Sequence, residues 1–482
     1  MLRIPRLLAA TATAVAVGAT LAVAAPASAA QVGTTTLFAP VEAPGYPAQV
    51  YVRPDGRVYE GTYINPDAAG VPSKVLEFGP DGGAPTRRWT VPGQDLQADH
   101  GVQVATSDAR GRLILLDRTP GRALRLDPDT GEFTEYATFP DLPSCNRVPY
   151  HEDCEPGGRD ETPMANYASW LPDGRLLVTD HHQDVIWQVP PGGGRATVWL
   201  GGDRFRSQEF GLTGIVLAPE RDAVYVTLAS NLDSDEPAPA SGKLFRIPLL
   251  PDLDPGTPRV LWTSGLMELP DGFAIGRSGT VYVALVGLSA QVARIGPDGR
   301  EQDRFGFALL GLNGGPVPFD SPSNARFHGT RILVANQSFL FGNAANQGIL
   351  AVETGEEGVP EHIPAGAGDR PARPPAHPST PDTAAPTTLR LRLTVSPRRL
   401  TAGRRSAVRV RVTAPTGPDG ARRSVRGATV RLGGRRARTD RRGRARLTIR
   451  AARPGTLRAI ATRKGMRRAA VHVTVRRAAR TR

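Results

Sequence analysis

The sequence predicts an all-β protein, and two patterns separated by a change of composition carry that expectation. Within residues 30–365, short runs rich in β-branched and aromatic residues alternate with Pro/Asp/Gly turns, at a period of about 50 residues. From Leu389 onward, apolar residues fall at every second position. Between the two, residues 366–388 collapse to Pro, Ala, Thr, Gly and Asp, the composition of an extended linker. No long amphipathic helical pattern competes. At 482 residues the chain is too long for one ordinary core.

The clearest copy of the repeat is Leu269–Leu285. It reads as a strand (Gly272–Ile275), a tight turn (Gly276–Gly279) and a second strand (Thr280–Leu285). Asn166–Asp180 and His100–Asp117 repeat this grammar, and weaker copies lie at Pro47–Thr62, Thr213–Thr227 and Asn324–Asn336. A further strand pair follows each copy, as in Val185–Pro190 and Arg195–Leu200. Two hairpin strands plus two more make the four-stranded unit of a propeller blade. Six copies therefore predict a six-bladed β-propeller, with an N-terminal strand closing the last blade. A sandwich would turn more often than this, and β-helix coils are shorter.

Met1–Arg6 carries Arg3 and Arg6, Leu7–Ala25 is apolar, and Ala27-Ser28-Ala29 offers small residues for cleavage. Residues 1–29 thus read as a secretory signal peptide rather than an anchor, since the many alanines make the run weakly hydrophobic. A secreted or cell-wall-associated protein is the expectation. Cys145 and Cys154 are the only cysteines. In an oxidising compartment they read as a disulfide, and with only His151 between them they fall short of the four ligands of a structural metal.

The net charge of +14 conceals a strong asymmetry. Residues 389–482 hold 30 Lys and Arg against two acids, Asp419 and Asp440. The body between them and the leader holds 28 basic residues against 44 acidic ones. Strict alternation in Leu389–Val395, Ala407–Val412, Ala445–Arg450 and Ala470–Val475 implies a small two-sheet sandwich with one dry and one wet face. Gly427-Ala-Thr-Val-Arg-Leu, Thr439-Asp-Arg-Arg-Gly-Arg-Ala and Arg453-Pro-Gly-Thr-Leu-Arg-Ala resemble the bacterial immunoglobulin-like domains of exported proteins. So basic a domain predicts an anionic partner. Export, and the want of aromatic residues interleaving the arginines, favour a cell-wall polymer or acidic polysaccharide over nucleic acid.

The residue ahead of each innermost strand is expected at the channel mouth, where propellers bind ligands. Aligning the copies gives Pro47, His100, Asn166, Thr213, Asp271 and Asn324. Asp271 with the amides of Asn166 and Asn324 is a hard-oxygen set suited to one divalent cation, Ca²⁺ foremost. His100 shares with Asp271 the role of candidate base, and Asn166, Asn324 and Thr213 are candidate substrate contacts. Glu60, Asp180, His181 and His182 are weaker candidates at strand ends. The Asp residues of the Pro-Asp-Gly turns (Asp55, Asp173, Asp298) read as structural.

Pro270-Asp-Gly-Phe-Ala-Ile, Pro172-Asp-Gly-Arg-Leu-Leu-Val-Thr-Asp and Ser323-Asn-Ala-Arg-Phe, with the strands after them, resemble the senescence marker protein/gluconolactonase family of six-bladed propellers. The resemblance covers about Gly45 to Leu350. It implies hydrolysis of a sugar lactone by a divalent metal held between a Glu, an Asn and an Asp. Asp271 matches the family's Asp, and Asn166 its substrate-side Asn. Pro47-Ala-Gln stands where the family has Glu-Gly-Pro, and Thr213-Gly where it has Asn-Gly. Two functions follow. One is a secreted metal-dependent hydrolase of a lactone or ester. The other is a non-catalytic propeller that binds a carbohydrate, wall polymer or protein and is held at the surface by its basic domain.

Overall fold

The computed structural model describes residues 31–369 and 391–477, apart from 44, 64–69, 146–153, 157–159, 208–209, 232–240, 308–310, 340–342, 416–421 and 464–465. The leader (1–29) and most of the linker (366–388) lie outside the described residues. The chain divides into two compact units after Pro374.

The first unit is a six-bladed propeller of antiparallel four-stranded blades, to one of which the two-residue strand Gly194–Arg195 adds a parallel edge beside Phe133–Thr138. From the channel outward, blade 1 is Tyr46–Val52, Val58–Tyr63, Lys74–Gly79 and Gly82–Thr90. Blade 2 is Val102–Ser107, Leu113–Asp117, Arg122–Leu126 and Phe133–Thr138. Blade 3 is Ala165–Trp170, Leu176–Asp180, Ile186–Val189 and Thr197–Leu200. Blade 4 is Leu212–Leu217, Ala223–Leu228, Ser241–Pro248 and Arg259–Leu266. Blade 5 is Pro270–Ile275, Val281–Leu285, Gln291–Ile295 and Glu301–Phe305. Blade 6 is Pro322–His328, Arg331–Asn336 and Gly348–Glu353, and its outermost strand is the N-terminal Thr35–Pro40. That strand pairs Thr35 with Val352 and Pro40 with Gly348, so the two ends of the unit close the ring.

Burial follows position in the blade. Innermost strands such as Val102–Ser107 are buried throughout, because neighbouring blades flank both faces. The outermost Glu301–Phe305 keeps only Phe305 buried. Large side chains such as Trp170, Trp187 and Tyr136 fill the wedges between blades. The hairpin turns are stabilised as their residues dictate: Asp173 and Asp298 each accept from the backbone N–H two residues on, at 3.0 Å. The glycines that follow them, Gly174 and Gly299, sit at φ 87° and 80°, where a side chain would be strained. Cys145 and Cys154 form a disulfide.

After blade 6 the chain does not stop. Residues 355–369 cross the face at which the innermost strands end. Val359 N–H bonds the Ile275 carbonyl of blade 5 at 2.9 Å, and Ala109 N–H of blade 2 bonds the Ala367 carbonyl at 3.1 Å. Blades 5 and 2 stand opposite each other in a ring of six, so this strap spans a diameter. Ala367 is fully buried and Ile363 packs on the core of blades 2 and 3. Composition alone places residues 366–369 in the linker; the structure places them in the strap.

The second unit is a two-sheet β-sandwich, as the strict alternation of its sequence implies. In one sheet Arg405–Pro415 pairs with Arg392–Ser396, Arg422–Ser424 and Arg444–Arg450. The other runs Arg399–Thr401, Met466–Arg476, Gly455–Arg463, Thr429–Leu432 and Arg435–Arg438. Alternate residues interleave as a dry core, with Val408, Val410, Leu447 and Ile449 from one sheet against Val430, Ala459 and Val473 from the other.

Candidate ligand site in the propeller channel

The near face of the propeller is the one at which the innermost strands begin. Each of these strands opens with a residue paired to the end of the next strand: Tyr46, Val102, Ala165, Leu212, Pro270 and Pro322. The residues one step deeper are Pro47, Gln103, Asn166, Thr213, Asp271 and Ser323. The aligned residues Pro47, Asn166, Thr213 and Asp271 belong to this ring. His100 and Asn324 do not. His100 lies ahead of its strand, and Gln103 holds the ring position. Asn324 lies one residue too deep, past a bulge between Pro322 and Asn324.

Most of these groups join one blade to the next. Asn324 accepts from Val50 N–H at 3.1 Å and donates to the Val50 carbonyl at 2.9 Å, stitching blade 6 to blade 1. Both ring nitrogens of His100 face backbone carbonyls, Ala98 at 2.8 Å and Val71 at 2.7 Å. Asn166 accepts from Gln103 at 2.9 Å. The Thr213 hydroxyl lies 3.0 Å from both the Thr227 hydroxyl and the Pro270 carbonyl. Thr227 in turn donates to the Asp271 carbonyl at 2.7 Å.

Two ring groups, Gln103 through Oε1 and Asp271 through Oδ1, keep a buried oxygen without a hydrogen-bond partner among the described residues. Asp271 is the ring's carboxyl group. Burial pushes its carboxyl up to about 7, against weaker opposing contributions from the Tyr167 hydroxyl and the Gly272 N–H. Tyr167 reaches across the channel from blade 3 and donates to the Ser323 carbonyl of blade 6 at 2.8 Å. It passes Gly272, where a Cβ would sit 2.7 Å from the Tyr167 hydroxyl. Tyr63, whose own ionisation is opposed by burial and by Asp271, lines the same space. Tyr167 thereby crosses the axis midway, and the near mouth of the channel lies on the Asp271 side of it. Its rim on blades 5 and 6 carries exposed Phe307, Leu312 and Phe339.

The oxygen set expected for a divalent cation does not assemble. Asp271 brings the ring's one carboxylate, while the amide oxygens of Asn166 and Asn324 are engaged by Gln103 and Val50. Ca²⁺ takes six to eight oxygens, usually with several charges among them. No group of three or more His, Cys, Asp or Glu suited to a metal occurs among the described residues. The weaker candidates organise backbone. Glu60 is buried and accepts from Gln49 N–H at 2.7 Å. Asp180 accepts from the N–H groups of Met164, His182 and Gln183 and from Trp187 Nε1. His181 lies 3.5 Å from the Asn166 amide nitrogen, and the His182 ring bonds Thr162. Tyr167, Tyr63 and Gln103 were missed by sequence reasoning. The one signal for them was position: Tyr167 follows Asn166 in the strand, and Gln103 follows Val102 as Asp271 follows Pro270.

Fold and site together define a six-bladed propeller whose near ring holds one carboxyl group beside two buried tyrosines. No protein-family model and no curated protein matches the chain. Among solved structures it is similar to a calcium-binding protein, regucalcin, from Agrobacterium tumefaciens, at 18% identity over 68% of this chain and 98% of that one, with a TM-score of 0.43. A luciferin-regenerating enzyme aligns at 13% identity over 66% and 95%, with a TM-score of 0.44. An auxiliary nutrient binding protein from Bacteroides thetaiotaomicron aligns at 11% over 66% and 75%, with a TM-score of 0.42. No helix among the described residues is long and apolar enough to cross a membrane.

Proposed function

We propose that the near mouth of the channel binds a neutral, hydroxyl-rich small molecule of the carbohydrate class, and that the basic sandwich holds the exported protein on an anionic wall polymer. The observation that carries the first part is Asp271, the ring's one carboxyl group, whose buried Oδ1 lacks a hydrogen-bond partner among the described residues and which lies beside Tyr167 and Tyr63. A carboxyl group beside aromatic rings suits a sugar, whose hydroxyls bond the acid while its C–H faces pack on the rings. The apolar rim adds contact for a ligand longer than one ring. The second reading is hydrolysis of a lactone or ester. It rests on the same residue, since a carboxyl raised to about 7 is matched to general acid–base work at neutral pH. One comparison separates them: oligosaccharide binding, lactone hydrolysis and divalent-metal content, measured on the wild type and on Asp271→Ala. Binding lost in the variant, without turnover or stoichiometric metal in the wild type, is the expected result. A metal that leaves with the carboxylate, taking lactone hydrolysis with it, would establish the hydrolase instead.

The sandwich part rests on a register. On the exposed face, Arg405, Arg409 and Arg411 stand directly opposite Arg450, Arg446 and Arg444. Like charges in such pairs destabilise a sheet, and a bound polyanion relieves that repulsion. Arg409→Glu is therefore expected to do two opposite things. It should stabilise the domain by about 0.5 kcal/mol through a new cross-strand pair with Arg446. It should also weaken salt-sensitive retention of the protein on purified cell walls. Undiminished retention would make the arginines an ordinary solvated surface.

A further inference from the structure

Beyond Tyr167 the channel opens into a chamber of about 700 Å³, roofed by strap residues 357–363. Its walls are the far ends of the innermost strands, with Val52, Ile215, Leu217, Ile275 and Phe327 among the apolar contacts. Pro54, Pro219 and Gly329, in far-face turns of blades 1, 4 and 6, also line it. The volume lies within the range of small-molecule sites, and the lining is mostly apolar with a few polar groups, as such sites are.

Three of those polar groups have unfilled hydrogen-bonding capacity. Arg326 Nε, Glu361 Oε1 and His362 Nε2 are buried atoms without a hydrogen-bond partner among the described residues. Arg326 makes one long bond, from Nη2 to the Ala105 carbonyl at 3.5 Å, and no ion pair within 4.0 Å among the described residues. A guanidinium in this position ordinarily has a carboxylate in its fork. Around it, Glu357 is paired with Arg277, and Arg53 with Asp55. Burial raises the Glu361 carboxyl, favouring the neutral acid, and lowers the His362 imidazole, favouring its neutral form. Arg326 is thus a cation whose fork no carboxylate fills within 4.0 Å among the described residues.

We infer that this far chamber is a second ligand site, for a small monocarboxylate with an apolar body, its carboxylate forked by Arg326 and its body packed on Ile215, Ile275 and Phe327. Glu361 Oε1 and His362 Nε2 line the same space. The site is distinct from the near mouth, which lies on the other side of the Tyr167 side chain.

The test is calorimetric titration of the full chain with benzoate, 3-phenylpropionate and 4-methylvalerate, and with benzamide as the neutral isostere. At least one carboxylate should bind with one-to-one stoichiometry, and benzamide about tenfold or more weaker than benzoate. Arg326→Gln should cost about tenfold or more, while Glu361→Gln, which keeps a neutral donor, should retain binding. Thermal unfolding of each variant reports whether it is folded. If Arg326→Gln does not fold, the contrast between benzoate and benzamide in the wild type still decides. No binding of any carboxylate up to about 10 mM, equal binding of benzamide, or full affinity in folded Arg326→Gln would each overturn the inference.

Discussion

Asp271→Asn is expected to stabilise the propeller by about 4 kcal/mol above pH 7 and to make little difference near pH 4. The sign follows from where the proton sits. In the unfolded chain an aspartate titrates near its ordinary 3.8, whereas in the fold burial holds this carboxyl to about 7. Between those two values the folded state keeps a proton that the unfolded state has lost. Stability therefore falls as pH rises through that window, and above it the fold carries the full cost of a charged, poorly solvated carboxylate. Asparagine has no charge to desolvate, so its advantage grows over the same window and then levels off. Urea unfolding of both proteins at about pH 4, 5.5 and 8 measures this directly. A difference that does not change with pH would show that Asp271 is not held neutral by the fold, and with it would go the acid–base argument for the hydrolase reading.

Removing the N-terminal strand Thr35–Pro40 is expected to cost about 5 kcal/mol or more, a large share of a typical domain's stability. It takes the buried side chains of Thr35, Phe38 and Ala39 out of blade 6. It also uncovers the edge of Gly348–Glu353, a mostly buried strand with its hydrogen-bonding groups then unpaired. The truncated protein should aggregate or unfold well below the wild type, and the excised segment, supplied as a peptide, should restore part of the loss. Unchanged thermal unfolding of the truncated chain would mean that the remaining strands of blade 6 close the ring without it.

These two sites differ in how far the sequence discloses them. The blades are legible because each is local: a Pro-Asp-Gly or Arg-Ser-Gly turn between two short runs specifies a hairpin without reference to the rest of the chain. The ring is legible only as far as the local grammar is regular. Asn166, Thr213 and Asp271 sit one residue inside a strand that starts where the repeat places it. In blade 2 the strand begins two residues after His100, so Gln103 takes the place assigned to the histidine. In blade 6 the strand begins at Pro322, two residues before Asn324, so Ser323 takes the ring place and Asn324 makes a pair of bonds with Val50, 274 residues away. What each side chain faces is a property of contacts between blades, and no local pattern contains it. Tyr167 meeting Ser323 across the axis, and Arg326 roofed by Glu361 on the strap, are both of this kind. The end of the strap was hidden by composition, since Gly366-Ala-Gly-Asp reads as the start of the linker.

The strap also decides how the propeller bears mechanical load. Tension on the chain beyond Asp369 enters at blade 2, through the Asp369 ion pairs with Arg110 and Arg112 and the Arg125 bond to the Gly368 carbonyl. Those contacts peel one after another, before force reaches the Gly276–Gly358 bridge at blade 5. The latch of the ring, Thr35–Pro40 paired on Gly348–Glu353, comes under load only after the strap has peeled. A pull from the C-terminal side therefore meets a sacrificial seam that can yield and re-form while the six blades stay shut.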